Sequence, residues 1–527
     1  MTSIFLEDWL NHPEYWFNSK NIYDDYINTN YNYLIEEKWD RTNKDIKYHL
    51  SYIIIYDQIP RHIYRGNKNK IDEYLEKSLE IYNFVKENYN TDNLSIVEWC
   101  FFSLPMRHTN IHKNIYKVLK EAWNKLEKIE SKEDHNKLIG FIKASYERIP
   151  KNQITEIEKY IPSKNNIIEN ITYFLKYVDI LDYCPIILNN NNNNKHMLYD
   201  VIKQSIKNNH FNSIQISLSG GVDSMVCSYI IKKLENELHI NANCVFINYC
   251  NRSNKEFEFV RDWCNYIGLP LYVRHINEIT RDLSMKYSLR DTYEKYTKDV
   301  RFNTYSTVWN KLGHSGIPQV LLGHNKNDCF ENILTNMCYK IKYDNLKGMK
   351  DIQIVENIIF YRPLLEIKKE DIYDYAHKIG IPYLTDSTPK WSQRGKIRDI
   401  VRPCLEQWNN SMIDSMFNLS DRMSDYSKLE KSICDNMIEL TKNINNGYEL
   451  YISLNQLVII ETIWRKYFYM CNVNISNKCM EHFIKYLNRI VKNKKYNISY
   501  SININVKTNI ITKISKDQIV CLKIINN

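Results

Sequence analysis

From about Ile4 to Tyr177, apolar residues recur at three- and four-residue spacing, the repeat of a helix that buries one face. The segments DEYLEKSLEIYNFVKENY and IHKNIYKVLKEAWNKLEKI carry the repeat most clearly, and few runs in this region alternate as strands do. The pattern predicts an all-α N-terminal domain over residues 1–180. It breaks at ILNNNNNNKHM, where the six asparagines Asn189–Asn194 offer nothing to bury, so residues 181–197 are expected to form a linker.

The period then changes. Over residues 198–408 short apolar runs (SIQISL, ANCVFINY, PQVLLGH) alternate with amphipathic helices (DSMVCSYIIKKLENEL, KEFEFVRDWCNYI, NDCFENILTNMCYKI), which predicts an α/β domain with a parallel sheet. Residues 409–527 read as helical to about Lys492. After that, YNISYSININVKTNIITKI alternates with period two and QIVCLKII adds another apolar run, so a small α+β region with antiparallel strands is expected.

Composition changes this picture little. A chain of 527 residues suggests three or four domains, and 43% hydrophobic with 25% charged residues is ordinary for soluble protein. The formal charge of +9 suits a polyanionic partner without requiring one. The thirteen cysteines include no Cys-x-x-Cys pair, the N-terminus lacks the pattern of a secretory signal, and no apolar run is long enough to span a bilayer. A reduced, cytoplasmic protein without a membrane partner is expected. The excess of Asn, Ile, Lys and Tyr is read as base composition of the gene rather than as function.

Candidate chemistry starts at ISLSGGVDS, a buried strand turning into a helix. Gly220 and Gly221 permit a tight turn and close approach of a ligand, while Ser219, Ser224 and the free amides of the helix's first turn offer donors to an anion. An ordinary turn capped by Asp223 or Ser224 is the plainer reading of the glycines alone. The full string Ser219-Gly220-Gly221-Val222-Asp223-Ser224 is more specific: it resembles the PP-loop of the N-type ATP pyrophosphatases. That resemblance implies a doubly wound α/β fold, ATP as the cofactor and cleavage between its α- and β-phosphates. The loop has no Gly-Lys-Ser/Thr, so no lysine is expected to reach a γ-phosphate.

Further stretches resemble the tRNA(Ile)-lysidine synthases. In VLLGHNKNDCFENILTNM, His324 ends a strand, and Asp328 and Glu331 share one face of the next helix; Asn332 stands where that family has Thr. DNLKGM (Asp344–Met349) follows, then YRPLLEIKKED, IPYLTDST and Arg394 with Arg398, four apart on a predicted helix and able to grip phosphate as a pair. Gly395 replaces the family's Asn. The family's His-x-x-His-x-x-Arg is reduced to Asn248, Asn251 and Arg252, and Arg301 in YTKDVRFNTY is the counterpart of its helical arginine.

The resemblance implies that ATP adenylates O2 of a tRNA cytidine and that the ε-amine of lysine displaces AMP. Ser219 to Ser224 would hold the phosphates, with Asp223 assisting through Mg²⁺. Asp328, Glu331 and His324 would bind the lysine, and His324, Arg301, Arg394 and Arg398 would contact nucleotide or tRNA. Two alternatives stay open: tRNA 2-thiolation, for which Cys329 and Cys338 read as helix thiols rather than a reactive pair, and a non-catalytic ATP- or RNA-binding scaffold.

The N-terminal region resembles a helical, tetratricopeptide-like family of unknown function, domain of unknown function 924. Trp16-Phe17, Asp57-Gln58, Pro60-Arg61, Arg65 and Pro105 with His108 carry the match, and Thr109-Asn110 replaces Ser-Glu. Asp57, Arg61, Arg65 and His108 are read as a network tying helices together, with a polar binding site as the alternative. A docking module for a protein partner or RNA is the expected role.

Overall fold

The computed structural model describes residues 2–16, 21–151, 156–162, 197–249, 255–339, 345–384, 392–445, 447–493, 499–505, 508–514 and 519–526. Phe17, the asparagine tract, Asn251 with Arg252, Asp344 and residues 385–388 of IPYLTDST lie outside them. The chain divides into two compact units, Met1–Asn325 with Asp351–Ser387, and Lys326–Lys350 with Thr388–Asn527.

The first unit opens with helices, the longer ones spanning Ile46–Asp57, Lys68–Asn88, Ile96–His108, His112–Leu126 and Lys132–Glu147. Their starts are set by local chemistry. Asp45, Asn67 and Ser131 each accept a backbone N–H of the first turn, and Ser95 with Glu98 forms a reciprocal capping box. Between these helices the Asp57 carboxylate lies buried, accepting from His108 Nδ1 at 2.8 Å and Arg61 Nη2 at 3.0 Å. Arg65, expected in the same network, instead makes a two-pronged pair with Asp24 at 2.5 and 2.7 Å, where His62 Nδ1 joins at 2.9 Å.

The sheet of this unit has the order β1-β4-β3-β2-β5-β7-β6. Its strands are β1 (Ile157–Tyr160), β2 (Ser213–Ser217), β3 (Asn241–Asn248), β4 (Leu271–His275), β5 (Gln319–Leu321), β6 (Ile352–Val355) and β7 (Ile358–Tyr361). The five central strands are parallel, and β1 and β6 pair antiparallel at the two edges. The chain winds outward from β2 through β3 to β4, then restarts at β5 on the other side of β2. That reversal marks the crevice where open α/β sheets bind ligands.

Helical spacing had extended through β1, yet Ile157–Tyr160 is a strand, in register Ile157↔Arg274 to Tyr160↔Leu271. Four residues with Glu158 and Lys159 between the ends carry no legible period; the free edge of β4 decides their conformation. The hairpin β6–β7 turns on Glu356 and Asn357, both at positive φ (48° and 60°), the two-residue geometry whose twist suits a hairpin.

Two apolar cores lie against this sheet. Cys244 and Phe246 of β3 enter one with the helices Met197–Asn208, Val222–Leu238, Lys255–Ile267 and Lys369–Ile379. Val245 and Ile247 enter the other, which runs through the helix Arg290–Lys311 into the N-terminal helices without a break.

In the second unit the helix Met412–Glu439 and the helices Glu461–Met470 and Asn477–Asn493 accompany a five-stranded antiparallel sheet. Its order is β10-β11-β12-β9-β8, from β8 (Thr441–Ile444), β9 (Gly447–Ser453), β10 (Ser499–Asn505), β11 (Thr508–Ile514) and β12 (Ile519–Asn526). β8 and β9 fall inside the stretch read as helical from its sequence; β9 is a strand because β12 pairs with it along its length, from Ser453↔Ile519 to Gly447↔Ile525. Among the described residues no helix is long and apolar enough to cross a membrane.

Burial holds His108 down to about 4 from its ordinary 6.5, against the pull of Asp57; burial alone would raise Asp57, but His108 and Arg61 hold it well below the carboxylate range. The ring is thus neutral in the fold and protonates near pH 6.5 once unfolded. The unfolded chain binds more protons in between, so stability falls as pH drops from 6.5 through 4, by on the order of 2–3 kcal/mol for this group. Thermal unfolding followed from pH 7.5 to 4.5 should show that loss, and His108→Gln should flatten the slope.

Candidate functional site

The sequence-predicted residues fall into two groups, one in each unit. In the first, β2 ends at Ser217 and the helix Val222–Leu238 starts after Gly221. Gly220 has φ +82°, and a Cβ there would meet Leu384 Cδ1 at 2.8 Å, so the turn requires glycine. Ser224 holds the loop closed: its Oγ accepts from Ser219 N at 3.1 Å and donates to Gly221 O at 3.0 Å. No side chain caps the helix at Gly221. The first-turn amides and the positive end of the helix dipole therefore favour an anion at this loop.

Asp223 is met from two directions. Asn325 Nδ2 donates to its Oδ1 at 2.9 Å, and Lys369 Nζ pairs with its Oδ2 at 2.5 Å. The loop lacks a lysine of its own, but Lys369 arrives at Asp223 from the start of a helix 146 residues further on. Gly323, next to His324, packs so close that a Cβ would lie 2.9 Å from Asp223 Cβ and 3.0 Å from Asp223 C. His324 Nδ1 accepts from Arg362 Nε at 3.1 Å, which places the ring proton on Nε2. Arg301 lies one turn before Tyr305, whose hydroxyl meets Ser217 Oγ at 2.7 Å; burial raises that phenol and the Arg301 charge pulls it back. Asn248, at the end of β3, contacts His275 Nδ1 through Nδ2 at 3.0 Å.

In the second unit, Asp328 and Glu331 share the helix Lys326–Tyr339. Glu331 is 2% exposed, and its Oε1 accepts from Arg398 Nη2 at 2.7 Å and Nε at 3.1 Å. Its Oε2 is buried with no hydrogen-bond donor, the Arg394 guanidinium standing 3.9 Å away. Burial pushes this carboxyl above its ordinary value, and the nearby Asp328 charge adds to that push against Arg398 and Arg394. Arg394 and Arg398 thus converge on a carboxylate, from a helix that begins at the Ser392 cap and passes through a π turn at Ile397–Val401.

The substitutions at Asn332 and Gly395 are both accommodated. Asn332 Nδ2 donates to Lys347 O at 3.0 Å and its Oδ1 accepts from Arg394 Nη2 at 3.3 Å. Gly395 N donates to Ser392 Oγ at 3.0 Å, completing the cap.

Sequence reading missed Lys369, Asn325, Gly323 and Arg362. Gly323 left a trace, as one of only 12 glycines, placed at the end of an apolar strand where close backbone approach is common. Lys369 left none, being one of 71 basic residues in a chain full of lysine.

Residues 194–408 match the family described as PP-loop domain, and residues 5–172 match bacterial protein of unknown function DUF924. A tRNA(Ile)-lysidine synthase of Mycoplasma mycoides subsp. mycoides SC is 29% identical over 304 residues, covering 55% of this chain and 69% of that protein. Those of Bacteroides thetaiotaomicron and Malacoplasma penetrans are 25% and 26% identical, over 42% and 46% of this chain. The chain spans 50% of the former and 83% of the latter. Among solved structures, the U34-tRNA thiolase NcsA from Methanococcus maripaludis with its 4Fe-4S cluster aligns at 17% identity with a TM-score of 0.35, over 43% of this chain and 78% of that one.

Two substitutions probe the loop. Gly323→Ala forces a methyl group against Asp223 and should weaken ATP binding about tenfold, the effect of roughly 1.4 kcal/mol of overpacking, with the circular dichroism spectrum unchanged. Lys369→Ala should weaken it by a similar factor and Lys369→Arg should largely restore it, as read by titration with a fluorescent ATP analogue.

Proposed function

We propose that this chain, whose central segment is a PP-loop domain related to the tRNA(Ile)-lysidine synthases and whose N-terminal segment is a DUF924 domain, is an ATP-dependent ligase that modifies a tRNA base, joining lysine to C2 of a cytidine and releasing AMP and pyrophosphate. The observation that carries the choice of an amine is Glu331. A carboxylate oxygen that is buried, without a donor and close to a second acidic group is costly to keep, and an ammonium group supplies the missing donor and charge.

In this reading the loop Ser219 to Ser224 holds the triphosphate, through the amides of the helix's first turn after Gly221. Lys369 neutralises charge that grows on the departing pyrophosphate, where a fixed cation is worth more than in water. Asp223 already faces a cation in Lys369, so its carboxylate suits a positive ion. Among the described residues no three acidic, histidine or cysteine side chains gather as a metal site. Asp223 is the residue that would hold a magnesium ion, which would supply positive charge to stabilise the phosphates.

Asp328 and Glu331 orient the lysine ammonium, and Oε2 of Glu331, its carboxyl raised by burial, accepts the proton that the amine must lose before it attacks. His324, Arg301, Arg394 and Arg398 are assigned to nucleotide and tRNA contacts. A cytosine carbonyl oxygen is a poor leaving group, and adenylation converts it into one that an amine held nearby can displace.

The test is mass spectrometry of nucleosides from tRNA incubated with the protein, ATP and lysine. The expected product is a lysine-bearing cytidine that depends on all three; a sulfur-bearing nucleoside would point to thiolation instead. Glu331→Ala should abolish lysine-dependent AMP formation while ATP binding changes less than about threefold, and product formed at the normal rate by that variant removes the lysine-site assignment.

A further inference from the structure

The seam between the N-terminal helices and the PP-loop sheet holds a cavity of about 210 Å³ that the proposed reaction does not use. One wall comes from the N-terminal domain, with His112, Tyr146, Glu147 and Lys151, and the other from Arg274 of β4 and the helix Arg290–Lys311. Charged groups are buried beneath it. Arg274 and Glu278 are 5% and 6% exposed and pair with each other through Nη2 and Oε1, and His112 Nε2 approaches the same Oε1 at 3.1 Å. Arg274 Nε and Glu278 Oε2 are both buried without a hydrogen-bond partner.

A seam that only had to close would be filled with apolar side chains, because buried charge with unmet hydrogen bonds is costly. Packing does hold the domains together close by: Tyr146 donates to Glu278 O at 2.6 Å and Tyr116 to Asn277 O at 3.3 Å. The cavity stays open beside these contacts.

Its lining selects a ligand class. Three cations (Lys151, Arg274, Lys295) and three carboxylates (Glu147, Asp291, Asp299) line it, so the lining is balanced in charge; Lys151 Nζ pairs with Asp299 Oδ1 at 3.2 Å and leaves Oδ2 to a ligand ammonium. A polyphosphate would meet three carboxylates and a polyamine three cations. A zwitterion meets both signs at once. The volume is below the roughly 300–1,000 Å³ of pockets for drug-sized ligands and suits a molecule of about ten heavy atoms. Tyr296, Ile149 and Val300 add apolar surface for a side chain.

We propose that this cleft binds a free amino acid, its carboxylate on the Arg274 and Lys295 side and its ammonium on the Asp299 side. Because the ligand touches both domains, it binds only while the N-terminal domain is docked on the sheet. This site is separate from Glu331 and does not rest on the proposed reaction.

The experiment is isothermal titration of the full-length Glu331→Ala variant, in which the proposed lysine site contributes no heat, with each common amino acid. Cadaverine, hexanoate and inorganic phosphate serve as probes that each lack one charge or carry only one sign. At least one amino acid should bind saturably, with the single-charge probes at least tenfold weaker. Adding Lys295→Ala or Asp299→Asn, both at the rim and away from the Arg274–Glu278 pair, should weaken that binding at least tenfold while ATP binding is retained. No saturable binding by any amino acid, equal binding by phosphate or cadaverine, or affinity unchanged in both rim variants overturns the proposal.

Discussion

A parallel sheet leaves no face for water, and that constraint organises the larger unit. The strand β3 shows it residue by residue, with Cys244 and Phe246 buried to one side and Val245 and Ile247 to the other. Helices between successive strands cover the first face. On the second, the helix Arg290–Lys311 shares a continuous core with the N-terminal helices, so those helices, which match DUF924 over residues 5–172, cover the sheet. The antiparallel addition of β1 beside β4 extends the same joint to the sheet edge.

The same topology decides where charge collects. Strands that all point one way bring their ends, and the starts of the following helices, to one edge of the sheet. At the end of β2 this produces a site of positive character, with uncapped helix amides and Lys369 drawn to Asp223. The Glu331 group of the second unit has the opposite need: two arginines flank it, yet one oxygen still lacks a donor. Under the proposed function, an anion meets the need of the first group and an ammonium that of the second.

Much of this was legible without coordinates. The change from helical spacing to strand–helix alternation near residue 198, and the string from Ser219 to Ser224, are local features, and helix caps, tight glycine turns and amphipathic faces follow from neighbours in the chain. Asp328 and Glu331 lie three apart, so their shared face needed only helical geometry. The strands β1, β8 and β9 were illegible because short segments without a strong period take their conformation from the strand beside them.

What the sequence by itself determined, then, is the strongly periodic elements and the chemical type of the loop, since both depend on contacts within a few residues. The tertiary structure alone decided that Lys369 serves Asp223, that Arg398 holds Glu331, and that Arg274, Glu278 and His112 meet under a cleft. Apart from Arg274 and Glu278, which lie four apart, those pairings join residues far apart in the chain. A long-range ion pair leaves no period in the sequence, because its energy depends on where folding brings two side chains and on how little water remains around them.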